Sequence, residues 1–283
     1  MSFFVRWKMN ISVSGIIVWA VLIFYTIFAL FPIAWTLSTS FKSRAETQKM
    51  PPTWIPNDIT MENYIQVINK TPIPLSIRNS SIITIGTILL CLILGLPAAY
   101  GFSKFEFPGQ NVLLSLILIS RAVAPPALVI PFMLLAQKLH LMDTFFILIF
   151  IDTYMWLPFM VLLIKVSFDI IPVEIIDAAK IDGCSNFGIL HRIMLPISIT
   201  GLISVIILIF IDTWNELLFA SSFTSSPGIK PLTTTITYFY TDVYVVYGWM
   251  SAAGIIGIVP AIIFVIFFQK YIVKGIISGA VKG

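Results

Sequence analysis

Charge is what this 283-residue chain has least of: Asp, Glu, Lys and Arg make up 11% of it, against 58% hydrophobic residues. Soluble domains carry about 25% charged residues, so a fold of this length could not coat itself for water. That excludes a soluble globular enzyme, and the apolar content excludes a disordered chain. Cysteine and histidine are scarce too, two of each. Cys91 and Cys184 form no C-x-x-C pair and have no His at ligand spacing, so neither a disulfide framework nor a zinc site is expected. The net charge of +4 is small and scattered, which gives no footprint for nucleic acid. No G-x-x-x-x-G-K-[ST] phosphate loop occurs, and no paired acid–base, nucleophile or metal motif, so no catalytic or metal-binding residue is assigned.

What is abundant is long apolar sequence. Six runs have the length to cross a bilayer of about 30 Å: residues 11–37, 80–102, 112–137, 145–168, 197–220 and 248–271. They are continuous rather than alternating, which predicts helices and not barrel strands. The first run follows Arg6 and Lys8 with no small-residue cleavage site, so it reads as an uncleaved span. The fold expected is therefore an all-α integral membrane protein, a single transmembrane domain over residues 1–283. Six spans put both termini on one side. Nine Lys and Arg residues fall on the terminal side and seven opposite, five of these in one long Pro-rich loop. The short flanks favour cytoplasmic termini in the cell membrane, with the bilayer as solvent.

The Pro-rich loop, about residues 38–79, is expected to be extended with one short helix near 61–68. Residues 169–196, DIIPVEIIDAAKIDGCSNFGILHRIMLP, form the most polar cytoplasmic stretch, with six charges in 28 residues. Pro172 suits a first helical turn, with Glu174 and Asp177 near its positive end. Asp182-Gly183 then breaks the helix, and Ser185 or Asn186 caps a second one that ends at Pro196. The product is a helix, a Gly turn and a helix. On geometry alone it could equally be an interfacial connector.

Asp177-Ala178-Ala179, Gly183 and Ile193-x-Leu195-Pro196 resemble the EAA loop of ABC importer permeases, E-A-A-x3-G-x9-I-x-L-P, with Asp177 in place of the first Glu. Tyr100–Gly109, Trp214-Asn215-Glu216 and Gly279–Gly283 resemble further motifs of the carbohydrate-uptake branch, similar to the shorter six-span subunit of maltose-type systems. The resemblance implies a type I importer fold and ATP-driven alternating access for a sugar. It implies that 169–196 is a coupling helix seated on a cytoplasmic ATPase, contacted through Glu174, Asp177, Ala178, Ala179, Asp182, Gly183, Leu195 and Pro196. It also implies a second homologous permease, two ATPases holding ATP and Mg, and an extracellular or periplasmic solute-binding protein met by the loop around residues 231–240. This chain would bind no cofactor of its own, and its C-terminal 279–283 would reach the ATPases.

Charged groups inside spans are costly and start as functional candidates. Asp152 and Trp156, four apart, share a helix face, and a carboxylate beside an indole suits a sugar. A structural Asp bonded to a neighbouring helix is the alternative. Arg121 is either its counter-ion or a cavity group. Asp212, Asn215 and Glu216 stand at i, i+3 and i+4, on one helix face, lining the path or bonding a partner subunit. Pro97, Pro125, Pro126, Pro131 and Pro158 can kink their spans. His140 and His191 lack any nucleophile or ligand partner, and Trp35 and Trp249 suit interfacial anchoring. The rival class is an ion-coupled carrier or channel relaying protons through Asp152, Asp212 and Glu216; it leaves 169–196 unexplained.

Overall fold

The computed structural model describes residues 13–239 and 245–280, with side chains described for 15–239 and 245–270. Among the described residues every regular element is a helix. The chain divides into two compact units, residues 1–69 with 239–255, and residues 70–238 with 256–283.

The first unit holds α1 (Val13–Ser40), α2 (Arg44–Thr47), α3 (Glu62–Lys70) and the opening turns of α14 (Tyr247–Ala280). α1 is apolar on all sides and none of its membrane window is buried, the pattern of a helix made for lipid or another chain. Where it ends, polar bonds take over. Asn63 Nδ2 donates to Ser40 O at 2.9 Å and to Lys42 O at 2.8 Å. The Tyr64 hydroxyl meets Ser40 Oγ at 2.7 Å. A Cβ on Gly248 would stand 2.5 Å from Asn63 Oδ1, so this approach of α14 requires glycine. The Pro-rich loop thus carries α3 close to where a short helix was expected, and α2 in addition.

The second unit is built on α4 (Ile73–Lys104) packed along α7 (Phe145–Asp169). α5 (Gln110–Ser120), α6 (Pro125–Lys138), α11 (Ile199–Trp214), α12 (Leu218–Phe223) and α13 (Leu232–Thr237) surround this pair. Its core is Cys91, Ala99, Met160, Ile164 and Phe168, with Ile209 from α11, all at 0% exposure. In lipid such a seam is held by close van der Waals packing rather than by escape from water.

Four helices cross on their own criteria of length and apolarity, Gly15–Ser40, Ile73–Lys104, Phe145–Asp169 and Tyr247–Lys270, and two bent pairs bring the number up to six. Two of the six expected spans are thus sharply bent. The 112–137 run breaks between α5 and α6 with a bend of 93°. Pro125 and Pro126 begin α6, and the residue ahead of them, Ala124, is held extended (φ −60°, ψ 131°). The 197–220 run starts at an 83° bend near Ser198 and stops being helical at Trp214. Pro97, Pro131 and Pro158 lie inside helices that continue through them.

Candidate functional site

On leaving α7 the chain forms α8 (Val173–Ile181), with Pro172 just ahead of its first turn and Glu174 within it. Its end is fixed by three backbone bonds: Asp182 N to Ala178 O at 3.0 Å, Gly183 N to Lys180 O at 3.0 Å and Cys184 N to Ala179 O at 2.9 Å. Gly183 sits at φ +81°, the left-handed closure that this bonding pattern demands. Nothing lies within 4 Å of a Cβ built there, so the need for glycine is conformational and not a matter of room. Ser185 then caps α9 (Asn186–Ile189), its Oγ accepting Gly188 N at 3.2 Å. A π-helical turn, Leu190–Met194, leads into α10 (Leu195–Ile197). Pro196 has no N–H for the carbonyl one turn back, and the widened turn accommodates it. The second helical stretch therefore runs one residue past Pro196 instead of ending there.

Two faces of this loop are chemically different. Ile176 (2% exposed) and Ala179 (6%) pack into the main core beside Phe168, Ile171, Ile189 and Met194. Glu174, Asp177, Ala178, Asp182 and Gly183 face outward, as does Pro196, while Leu195 is half-buried. Of the two alanines only Ala178 is open to a partner. Lys180 pairs with Asp177 at 3.5 Å on the exposed side, an ion pair of little energetic weight. The base of the loop is tied to α4: Lys104 Nζ donates to Ile171 O at 2.8 Å, and Ser103 Oγ to Asp169 Oδ1 at 2.7 Å.

The intramembrane polar residues separate into two groups. Asp152, 5% exposed, and Glu216 border a cavity of about 10 Å³ with Ser80, Thr213 and Pro231. That is room for about one water and none for a sugar ring. Glu216 spends its carboxylate on α12, accepting Phe219 N at 2.7 Å and Ala220 N at 2.8 Å. Asp212 belongs to the other group; it is exposed and accepts Trp156 Nε1–H at 2.7 Å. Arg121, at the break between α5 and α6, donates to Met155 O and lies 5.1 Å from the Trp156 ring centre and 5.4 Å from that of Phe159. It makes no ion pair with Asp152. Asn215 caps α11 and bonds back to Ile211 O at 2.6 Å. Because α11 ends at Trp214, Asp212, Asn215 and Glu216 do not share one helix face, contrary to the i, i+3, i+4 expectation.

Residues 91–278 match the family described as binding-protein-dependent transport system inner membrane component. The chain belongs to that family. It is an integral membrane permease of an ABC importer, a transport subunit that works with a solute-binding protein. The permease is 32% identical over 254 residues to the sulfoquinovosyl glycerol transport system permease protein SmoH of Agrobacterium fabrum, covering 90% of this chain and 89% of that one. It is 32% identical over 270 residues to the trehalose transport system permease protein SugB of Mycobacterium tuberculosis, covering 94% and 97%. Its fold matches a chain in the crystal structure of a bacterial ABC transporter involved in the import of the acidic polysaccharide alginate. There the TM-score is 0.82 at 24% identity, covering 96% of this chain and 99% of that one.

Two features of the permease escape sequence reasoning. Val173 (55% exposed), Ile181 (86%) and Phe187 (69%) are apolar yet stand out from the coupling loop; helical spacing assigns them no inward face, but no rule says that they are bare. Asp143, just ahead of α7, takes a left-handed conformation (φ 57°). Its carboxylate accepts Ser225 N at 2.9 Å, Ser226 N at 3.1 Å and the Ser226 hydroxyl, while its own N–H goes to Phe223 O at 3.0 Å. Burial pushes its carboxyl up, but these donors outweigh that and hold it below the ordinary carboxylate value. The partners lie about eighty residues away, beyond any local signal. Further along the same loop, Leu232 N donates to Ser80 Oγ at 2.9 Å and Asn79 Nδ2 to Lys230 O at 3.0 Å, tying it to α4. Tyr240, Arg6, Lys8 and residues 281–283 of the C-terminal motif lie outside the described residues.

Proposed function

We propose that this permease carries a carbohydrate inward across the cell membrane. It would do so beside a second homologous permease, driven by two cytoplasmic ATPases that hold ATP and Mg, with both termini on the ATPase side. The observation that carries the reading is the two-faced loop around α8. An outward surface of Ile181, Val173 and Phe187 among Glu174, Asp177 and Asp182 suits a protein groove lined by apolar and basic groups. The inward face, Ile176 and Ala179, is continuous with the packed core of α7 and α11. A push on α8 when the ATPases close is therefore delivered to the spans as a rigid-body tilt. The sugar as cargo is supported by relatives named for sulfoquinovosyl glycerol and trehalose.

The proposed path runs past Asp212 and Asn215, which are exposed, and Phe159, which is open beside Arg121 and Trp156. These are the groups placed to meet hydroxyls and a sugar face. Asp152 and Glu216 sit behind them in a space too small for cargo, and Trp156 has Arg121 on its face, so they shape the path from within. The loop after α12 would meet the binding protein. Reconstituted vesicles test the whole: uptake of sugar is expected only with ATP, the ATPases and the binding protein together. Uptake driven by a proton gradient without ATP would replace this reading with an ion-coupled carrier.

A further inference from the structure

At the C-terminal end of α1 the first unit encloses a second, unrelated cavity of about 390 Å³, bordered by Trp35, Thr39, Lys42, Glu46, Lys49 and Tyr247 among others. Its depth in the membrane is set by aromatic rings. Trp35 meets Trp54 edge-on at 5.2 Å, and Phe31 lies 5.7 Å from the same ring. Such a girdle marks the level of lipid headgroups, and the apolar span ends here, at Ser40.

The polar groups of this cavity are not surface decoration. Lys42 is 3% exposed. Its ammonium donates to Thr53 O and lies 4.5 Å over the Trp35 ring, and among the described residues no carboxylate stands within ion-pair distance. A buried cation with one carbonyl and one indole has donors left over. Thr39, 8% exposed, lines the same space, and its hydroxyl has no hydrogen-bond partner. Glu46 makes no ion pair with Lys42. The Asn57 N–H and the Thr53 hydroxyl, at 3.0 and 2.8 Å, occupy Glu46 Oε1 and hold its carboxyl below the ordinary value, ionised and turned to the loop, and the charges of Lys42 and Lys49 help to hold it low. Among Lys42, Lys49 and Glu46 the cavity keeps one positive charge in excess.

We propose that this cavity binds the phosphate of an anionic phospholipid, with Lys42 and Thr39 as its ligands, Lys49 at its rim and the acyl chains lying along exposed α1. A phosphate supplies the anion and the acceptors that Lys42 and Thr39 lack. The girdle places it where a lipid presents that group, and Phe28 (70% exposed) and Phe31 (49%) offer apolar surface below it.

The test is native mass spectrometry of the assembled importer, released from neutral-lipid nanodiscs and titrated with phosphatidylglycerol or phosphatidylcholine. Wild type is expected to bind phosphatidylglycerol at least tenfold more tightly than phosphatidylcholine. Thr39→Val, which keeps shape and removes only the unpaired hydroxyl, should weaken that binding about threefold. Lys49→Gln should weaken it by a similar factor, and Lys42→Gln should abolish it. If Lys42→Gln fails to assemble, the two milder variants still decide. Equal affinity for the two lipids, or unchanged binding in both Thr39→Val and Lys49→Gln, overturns the proposal. So does full competition by millimolar inorganic phosphate, which would make the site one for soluble anions. Transport is not the readout, so the cargo assignment can fail without affecting this result.

Discussion

The two ends of α7 solve opposite problems. At Asp169 the chain enters a loop that satisfies its backbone internally and leaves apolar side chains bare, Ile181 most of all. At Asp143 the chain leaves a loop that is tied by four bonds of one residue onto residues 223–226. A bare apolar face on a polar loop is unfinished surface waiting for another protein. A carboxylate saturated by hydroxyl and backbone donors is a fastening within one chain. The helix between them thus has one end fastened within the chain and one end open to another protein, the two ends that a lever requires.

Gly183 tests the open end most severely. Gly183→Ile forces a β-branched residue to φ +81°, at a cost of about 1–2 kcal/mol for the left-handed region and more for branching. Sugar uptake should fall at least tenfold while the amount of inserted protein is unchanged; wild-type uptake would show that the loop is not driven. At the fixed end, Asp143→Ala leaves several donors unanswered at about 1–3 kcal/mol. It should lower the melting temperature by several degrees, with little change in the basal ATPase rate of the complex. A matching loss of coupling would erase the contrast between the ends.

The pH response sharpens the same point. The folded Asp143 carboxyl titrates below its unfolded value, so its contribution is present above about pH 4 and lost as pH falls through the folded value. The stability gap between wild type and Asp143→Asn should narrow steadily as the solution is acidified below that point, and a gap that does not change with pH would assign the fastening to something other than the charge. The smallest effect is expected from Ile181→Ser. An exposed side chain leaves stability within about 0.5 kcal/mol, but affinity of the permease for its ATPase should drop measurably in a binding titration.

Much of this was legible in the sequence, for identifiable reasons. Spans are read from length and apolarity, and the coupling loop from Gly183 and the Asp177-Ala178-Ala179 run, all local signals. The sequence misled where a local rule met a break. Asp212, Asn215 and Glu216 looked co-facial only as long as the helix was assumed to pass Trp214. Asp152 and Trp156 do share a helix, yet one borders a cavity too small for cargo and the other faces Arg121 and Asp212. Asp143 was invisible because its partners lie about eighty residues away, and the Lys42 cavity because its contacts, although mostly within residues 35–53, follow no helical or strand period.

The stretch between α5 and α6 has a consequence for the cell. Residues 122–124 are non-helical and exposed in this chain, and hydrocarbon does not tolerate bare backbone of that kind. Until a neighbour or a water-filled path covers it, the subunit is an incomplete resident of the bilayer. Expressed alone, the subunit should then be cleaved faster by membrane proteases than when a covering neighbour is present.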